Sequence, residues 1–138
     1  MSMKRVKALM KEAHEGFLAT TDGKRPAVRP MSAWAWFGKE LWIATGTKSA
    51  KAADIRKRPC VEVCYMTKDY RHVRVAGSCR SSDAPEVKKR MFGAFPWMKD
   101  HFGSPASPGW TVLRVKPKSI RLMDTKEMRY REVVGPAK

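Results

Sequence analysis

The chain has 138 residues, 43% of them hydrophobic, and its 29 Lys and Arg against 13 Asp and Glu leave a net charge of +16. That length suits one domain with one core. No apolar run approaches the ~18 residues of a membrane span, and the basic stretch Met1–Gly16 lacks the continuous apolar segment of a secretory signal.

In chain order, Val6, Leu9, Met10 and Ala13 recur at i, i+3, i+4 and i+7, predicting an amphipathic helix that Gly16 ends. "GFLATT" (16–21) reads as a strand, Asp22-Gly23 as a two-residue hairpin turn, and "RPAVRPMSAWAWF" (25–37) as the returning strand. Pro30 interrupts that strand. It donates no N–H to a ladder, so the strand is expected at an edge or bulged there. Residues 37–40 form a second turn and "LWIAT" (41–45) a third strand. Ser49 is placed to cap a helix running to about Arg58, supported by an Asp54–Arg58 i,i+4 pair and stopped by Pro59.

"CVEVCYM" (60–66) and "HVRVAGSCR" (72–80) alternate as half-buried strands around a turn near Lys68-Asp69. "DAPEVKKRMFG" (83–93) has the D-x-x-E form of a capping box, with Pro85 early and Gly93 as a stop. "PWMKDHFG" adds a short helical turn, and 103–109 is loop. Residues 110–117 and 119–124 read as two strands around a Pro117-Lys118 turn, and 128–134 as one more. Six to eight short strands joined mostly by tight turns, with two or three short helices, do not make the βαβ alternation of a parallel sheet. The expected fold is mainly β with short helices: a single-domain antiparallel β-barrel over residues 1–138.

The positive charge favours anionic partners: phosphorylated small molecules, nucleic acid or acidic membranes. The basic residues are spread along the chain, and runs such as Arg56-Lys57-Arg58 and Lys88-Lys89-Arg90 are ordinary for solvated helix faces. Cys60, Cys64 and Cys79 contain no C-x-x-C pair, which fits structural thiols in a reducing cytoplasm rather than a metal site. His14, His72 and His101 are scattered, and no G-x-S-x-G, H-E-x-x-H or paired-carboxylate motif assigns a catalytic residue. A cofactor is then the expected carrier of any hard chemistry.

"ATGTKSAK" (44–51) places small residues, hydroxyls and two lysines where a strand meets a helix. Helix N-termini carry unpaired N–H groups and partial positive charge, so a phosphate suits this point; without a Walker pattern it is not a P-loop. An ordinary capped helix with solvated lysines reads equally well from this segment alone. In "VRPMSAW" (28–34), an interrupted strand leaves main-chain groups for a planar ring with a polar rim, or is a plain edge.

Taken in order, "GFLATTDG", "PAVRPMSAW", "LWIATGTKSAKAADIRKRP", "VEVCY" and "HVRVAGSCR" resemble the pyridoxamine 5'-phosphate oxidase-like flavin proteins from about Gly16 to Asp124. The resemblance implies a split β-barrel, a homodimer and FMN at the subunit interface. By position it implies flavin-ring contacts from Arg29, Pro30, Met31 and Ser32, with Arg29 also reaching the phosphate. It implies strand-end contacts from Thr45 and Thr47, and phosphate contacts from Ser49 and Lys51. Ala50 stands where arginine is common, so Lys48 is the expected substitute. His72 falls where the oxidases carry a flavin-contacting glutamine.

The Trp-Gly-Gly and Arg-x-Glu-Phe-Trp features of the true oxidases are missing from "RLMDTKEMRYREVV" (121–134). The expectation is therefore a short general-stress or flavin-reductase-like oxidoreductase acting on some other small molecule, with NAD(P)H a possible donor. Trp34, Trp36, Trp97 and Trp110 are candidates for a substrate-cavity wall, although core packing accounts for each as well. The alternatives are a non-enzymatic flavin or haem binder, and a basic nucleic-acid-binding module. Against the latter, no recognition helix, zinc finger or RNP motif is present, so nucleic acid should bind only weakly and without sequence preference.

Overall fold

The computed structural model describes residues 3–133. In chain order they form α1 (Met3–Ala13), β1 (Gly16–Thr21), β2 (Pro26–Met31), β3 (Trp34–Phe37), β4 (Glu40–Gly46), α2 (Ala50–Lys57), β5 (Cys60–Met66), β6 (His72–Ser82), α3 (Pro85–Ala94), α4 (Met98–Phe102), β7 (Trp110–Asp124) and β8 (Arg129–Glu132). The strands make one antiparallel sheet in the order β2-β1-β5-β6-β7-β4-β3, with β8 added to β7. The two ends of that order, β2 and β3, are joined by Ser32-Ala33 alone, so the sheet curls until its edges nearly meet. Ala44 N–H donates to Ala33 O at 2.9 Å at this crossing. This is the antiparallel barrel that the strand spacing predicts, curled and open in the way the resemblance to a split barrel implies.

Two cores form because the sheet is apolar on both faces in different places. Inside the curl, Leu18, Val63, Val75, Ile120 and their neighbours pack against Val6, Leu9 and Met10 of α1 and Ile55 of α2. On the other face of β4 and β7, Trp42, Ala44, Trp110 and Val112 pack against Val87 and Met91 of α3 and Met98 of α4. The described residues hold four helices: α1 ahead of the strands and α2, α3 and α4 among them, as the sequence pattern leads one to expect.

Several local expectations are corrected, each for a physical reason. Residues 25–37 are two strands, because the chain leaves one sheet edge at Ser32 to start the opposite edge; Pro30 lies on the edge strand β2, where a missing N–H costs no ladder bond. The hairpin turn takes four residues, 22–25, since Thr21 pairs with Pro26 and Asp22 Oδ1 accepts from both Lys24 N–H and Arg25 N–H at 2.8 Å. Arg58 packs over Gly23 rather than pairing with Asp54. Helix α1 ends at Ala13 with His14 in the left-handed region (φ 72°), while Gly16 belongs to β1 because the Tyr65 ring occupies the place of a Cβ.

Gly93 lies inside α3. Residues 110–124 are one strand: the ladder shifts register between Ala76 and Gly77, and this bulge absorbs Pro117 without a turn. Val134, at the end of the last predicted strand, lies outside the described residues.

Candidate functional site

The β4–α2 junction is built by capping and by a loop that backs it. Ser49 Oγ accepts from Ala52 N–H at 3.3 Å, and Ser49 N–H donates to Gly46 O at 3.3 Å, so the chain turns tightly from strand into helix. The N–H groups of the first helical residues, Ala50 and Lys51, have no intrahelical acceptor and point out of the helix end. Thr47 faces the other way. Its N–H donates to Gly109 O at 3.0 Å and its hydroxyl to Pro108 O at 2.8 Å, which pins the junction to the 103–109 loop. Thr45 is buried opposite Thr111, and Lys48 is exposed.

β2 brings Arg29 to the same place. Arg29 pairs with Leu18 across β1, and directly opposed residues share a face, so its side chain lies on the inner side of the curl. One guanidinium nitrogen, Nη1, donates to Thr20 Oγ1 at 2.8 Å and to Leu18 O at 3.3 Å, leaving the other donors of the fork uncommitted. Helix α2 packs on β1, and its first turn sets Lys51 within reach of the Arg29 charge. Burial lowers the Lys51 pKa from its usual value, and the Arg29 guanidinium lowers it further. Two cations from distant parts of the sequence are thus held together beside free helix N–H groups. The arrangement is repulsive by itself and complementary to an anion. Thr20, which steers Arg29, was not singled out from the sequence; its signal was alternation with Leu18 on the face that Arg29 shares.

The remaining predicted residues divide. Met31 is buried, whereas Pro30 and Ser32 are exposed where β2 ends. His72 stands apart within one chain: Val75, not His72, occupies the pairing row of Arg29, Leu18 and Val63. Its Nδ1 lies 2.9 Å from Tyr70 O and its Nε2 2.8 Å from Tyr130 Oη. With a carbonyl as the only partner of Nδ1, that nitrogen carries the proton of the neutral ring and Nε2 accepts from the tyrosine. Of the tryptophans, Trp110 is fully buried, Trp34 donates to His14 O at 2.5 Å and Trp36 donates to Met10 Sδ at 3.3 Å. Those three are held in the packing, while Trp97 is 45% exposed.

Among the described residues no helix is long and apolar enough to cross a membrane. No group of three or more His, Cys, Asp or Glu among them is arranged to hold a metal ion.

A family model described as pyridoxamine 5'-phosphate oxidase matches residues 2–124. No curated protein matches the chain. Among solved structures, a NimC/NimA family protein from Clostridium acetobutylicum is similar at 26% identity and a TM-score of 0.84, covering 94% of this chain and 90% of that one. General Stress Protein 26 from Bacillus anthracis is similar at 19% identity and a TM-score of 0.78, over 94% and 97% of the two chains. A pyridoxamine 5'-phosphate oxidase-related, FMN binding protein from Nostoc punctiforme is similar at 17% identity and a TM-score of 0.69, over 95% and 93%. The latter two likenesses are of fold.

Proposed function

The chain belongs to the pyridoxamine 5'-phosphate oxidase-like family, and from that premise we propose that it is an FMN-binding oxidoreductase that works as a homodimer on a small molecule. The observation that carries this reading is the juxtaposition of Arg29 and Lys51 at the start of α2, two cations with a lowered lysine pKa and no carboxylate between them. The donor set fits a phosphate monoester: an ammonium, the open part of a guanidinium fork, and the N–H groups of Ala50 and Lys51. Lys48 is exposed beside them and adds charge where Ala50 offers none. When bound, the isoalloxazine supplies the redox chemistry.

The chain's own contribution is placement. Thr20 fixes Arg29, and the Thr47–Pro108 and Thr47–Gly109 bonds hold the junction against the loop behind it. Ser32 and the end of β2 are the groups on hand for the rim of the ring. Vitamin B6 phosphate is not the substrate in this reading, since the sequence of residues 121–134 lacks the Trp-Gly-Gly and Arg-x-Glu-Phe-Trp features of the oxidases.

Titrating the cofactor-free protein with FMN and with riboflavin, followed by flavin fluorescence, tests the phosphate contact. The reading expects FMN to bind at least tenfold tighter. Equal affinity removes the phosphate from this site. Bleaching of the bound flavin by NADH or NADPH without oxygen would then separate an oxidoreductase from a flavin carrier.

A further inference from the structure

A second cluster of cations lies on the outer face of β4, β6 and β7, and shares no residue with the site above. It lines a cavity of about 280 Å3 formed by Glu40, Ser78, Arg80, Arg114 and Lys116 over a floor of Pro59 and Cys79. The ladder sets Arg80 directly opposite Arg114, and Lys116 opposite Ser78 in the adjacent outward row. Like charges opposed across two strands destabilise a sheet. One carboxylate offsets them. Glu40 Oε1 accepts from Arg114 Nε at 2.8 Å and Nη2 at 2.7 Å, and from Trp42 Nε1 at 3.0 Å. Burial raises the Glu40 pKa, but the Trp42 and Arg114 hydrogen bonds and the Arg114 and Arg80 charges outweigh it, so the carboxyl stays below its usual value and ionised. No other described carboxylate pairs with Arg80 or Lys116.

The three cations less Glu40 leave a charge of +2 around the cavity. Its shape is built rather than incidental. At Gly77 a Cβ would overlap the Lys116 carbonyl, so only glycine permits this close approach at the bulge, while regular alternation from Arg114 puts Lys116 on the same face. The Trp42 ring beneath Arg114, 5.2 Å from it, limits the guanidinium's movement.

We propose that this cavity binds a compact dianion, best matched by the phosphate monoester group of a small metabolite. The Arg80 guanidinium, the Arg114 nitrogen that Glu40 leaves open, the Lys116 ammonium and the Ser78 hydroxyl line the cavity from two adjacent strands. That suits a tetrahedral group with three outer oxygens better than a planar carboxylate, which one fork satisfies. The volume is close to the ~300 Å3 at which pockets begin to hold small molecules. A nucleic-acid backbone, with one charge per phosphodiester, neutralises the pair less well than a terminal phosphate.

Inorganic phosphate titrated into 15N-labelled full-length protein, with sodium chloride at matched ionic strength as control, reads the site directly. The Trp42 indole and the Ser78, Arg80 and Lys116 amides should shift saturably. Those shifts should vanish in Arg80→Gln/Lys116→Gln and persist in Lys51→Ala. Shifts reproduced by chloride, retained in the double variant, or lost in Lys51→Ala overturn the proposal. Thermal unfolding gives a second reading. In phosphate-free buffer Arg80→Gln should raise the Tm by about 1–3 °C as the opposed charges are relieved, and added phosphate should then stabilise wild type more than the variant. A lower Tm in phosphate-free buffer contradicts the repulsion on which the site rests.

Discussion

Tyr65 carries the one buried side-chain polar atom among the described residues that finds no hydrogen-bond partner. Its ring does the packing. It lies over Gly16 and meets Trp34 edge-on at 4.8 Å between centroids. Burial raises its pKa far above the ordinary phenol value, so the hydroxyl stays protonated. Removing an unpaired buried hydroxyl while keeping the ring exposes nothing and relieves a desolvation cost of about 1–3 kcal/mol. Tyr65→Phe should therefore leave stability unchanged or raise it by up to about 1 kcal/mol in urea unfolding; a loss of that size would show that the hydroxyl is bonded. The same scale explains what was legible at the candidate site. Ser49 as a cap and Lys51 in the first turn follow from local chemistry, and both are where the pattern puts them. That the Lys51 charge lies within range of Arg29 was not legible from residue chemistry, because it depends on α2 packing against β1.

Helix α3 shows how one residue displaces an expected element boundary. Asp83 stands where a capping box would begin, but Pro85 disfavours helical geometry at the residue before it. Ala84 takes φ −56° and ψ 129° and becomes the N-cap, with no side chain to bond the free N–H groups, and Asp83 is left one position too early. Ala84→Asp should place a carboxylate at the helix start and stabilise the protein by about 0.5–2 kcal/mol in chemical unfolding. No gain would mean those N–H groups are already satisfied. Alternation identified β5 and β6 almost residue for residue, because each has one face in the core. It failed at β7, where Pro117 suggested a turn and the bulge carried the strand through. It also failed at residues 25–37, since passage from one sheet edge to the other leaves no mark on the apolar pattern.

For the whole molecule, the proposed homodimer is tested at the outer face of β2, β1 and β5, which carries exposed apolar side chains. Phe17, Val28 and Met66 are 44%, 64% and 45% exposed there, and the ladder places Phe17 against Pro30 and Cys64 on the same side. If the protein is a homodimer through this face, Phe17→Glu should shift it to monomer by light scattering at about 10 μM, a concentration at which a stable dimer stays associated. A dimer unchanged by that substitution places the interface elsewhere. The excess positive charge, read only as a preference for anions, has two proposed addresses: the α2 N-terminus with Arg29, and the outer cavity on β6 and β7. The curled sheet was legible from strand spacing, whereas both addresses required knowing which strands are neighbours.

The most direct test of FMN binding through its phosphate compares Lys51→Ala with Lys57→Ala, two substitutions that remove the same charge from opposite ends of α2. A directed contact predicts that Lys51→Ala weakens FMN by ~1.5–3 kcal/mol, roughly 10- to 150-fold, while Lys57→Ala and all riboflavin affinities barely change. Equal small losses in both variants would reduce Lys51 to one part of a general positive field and contradict the assignment.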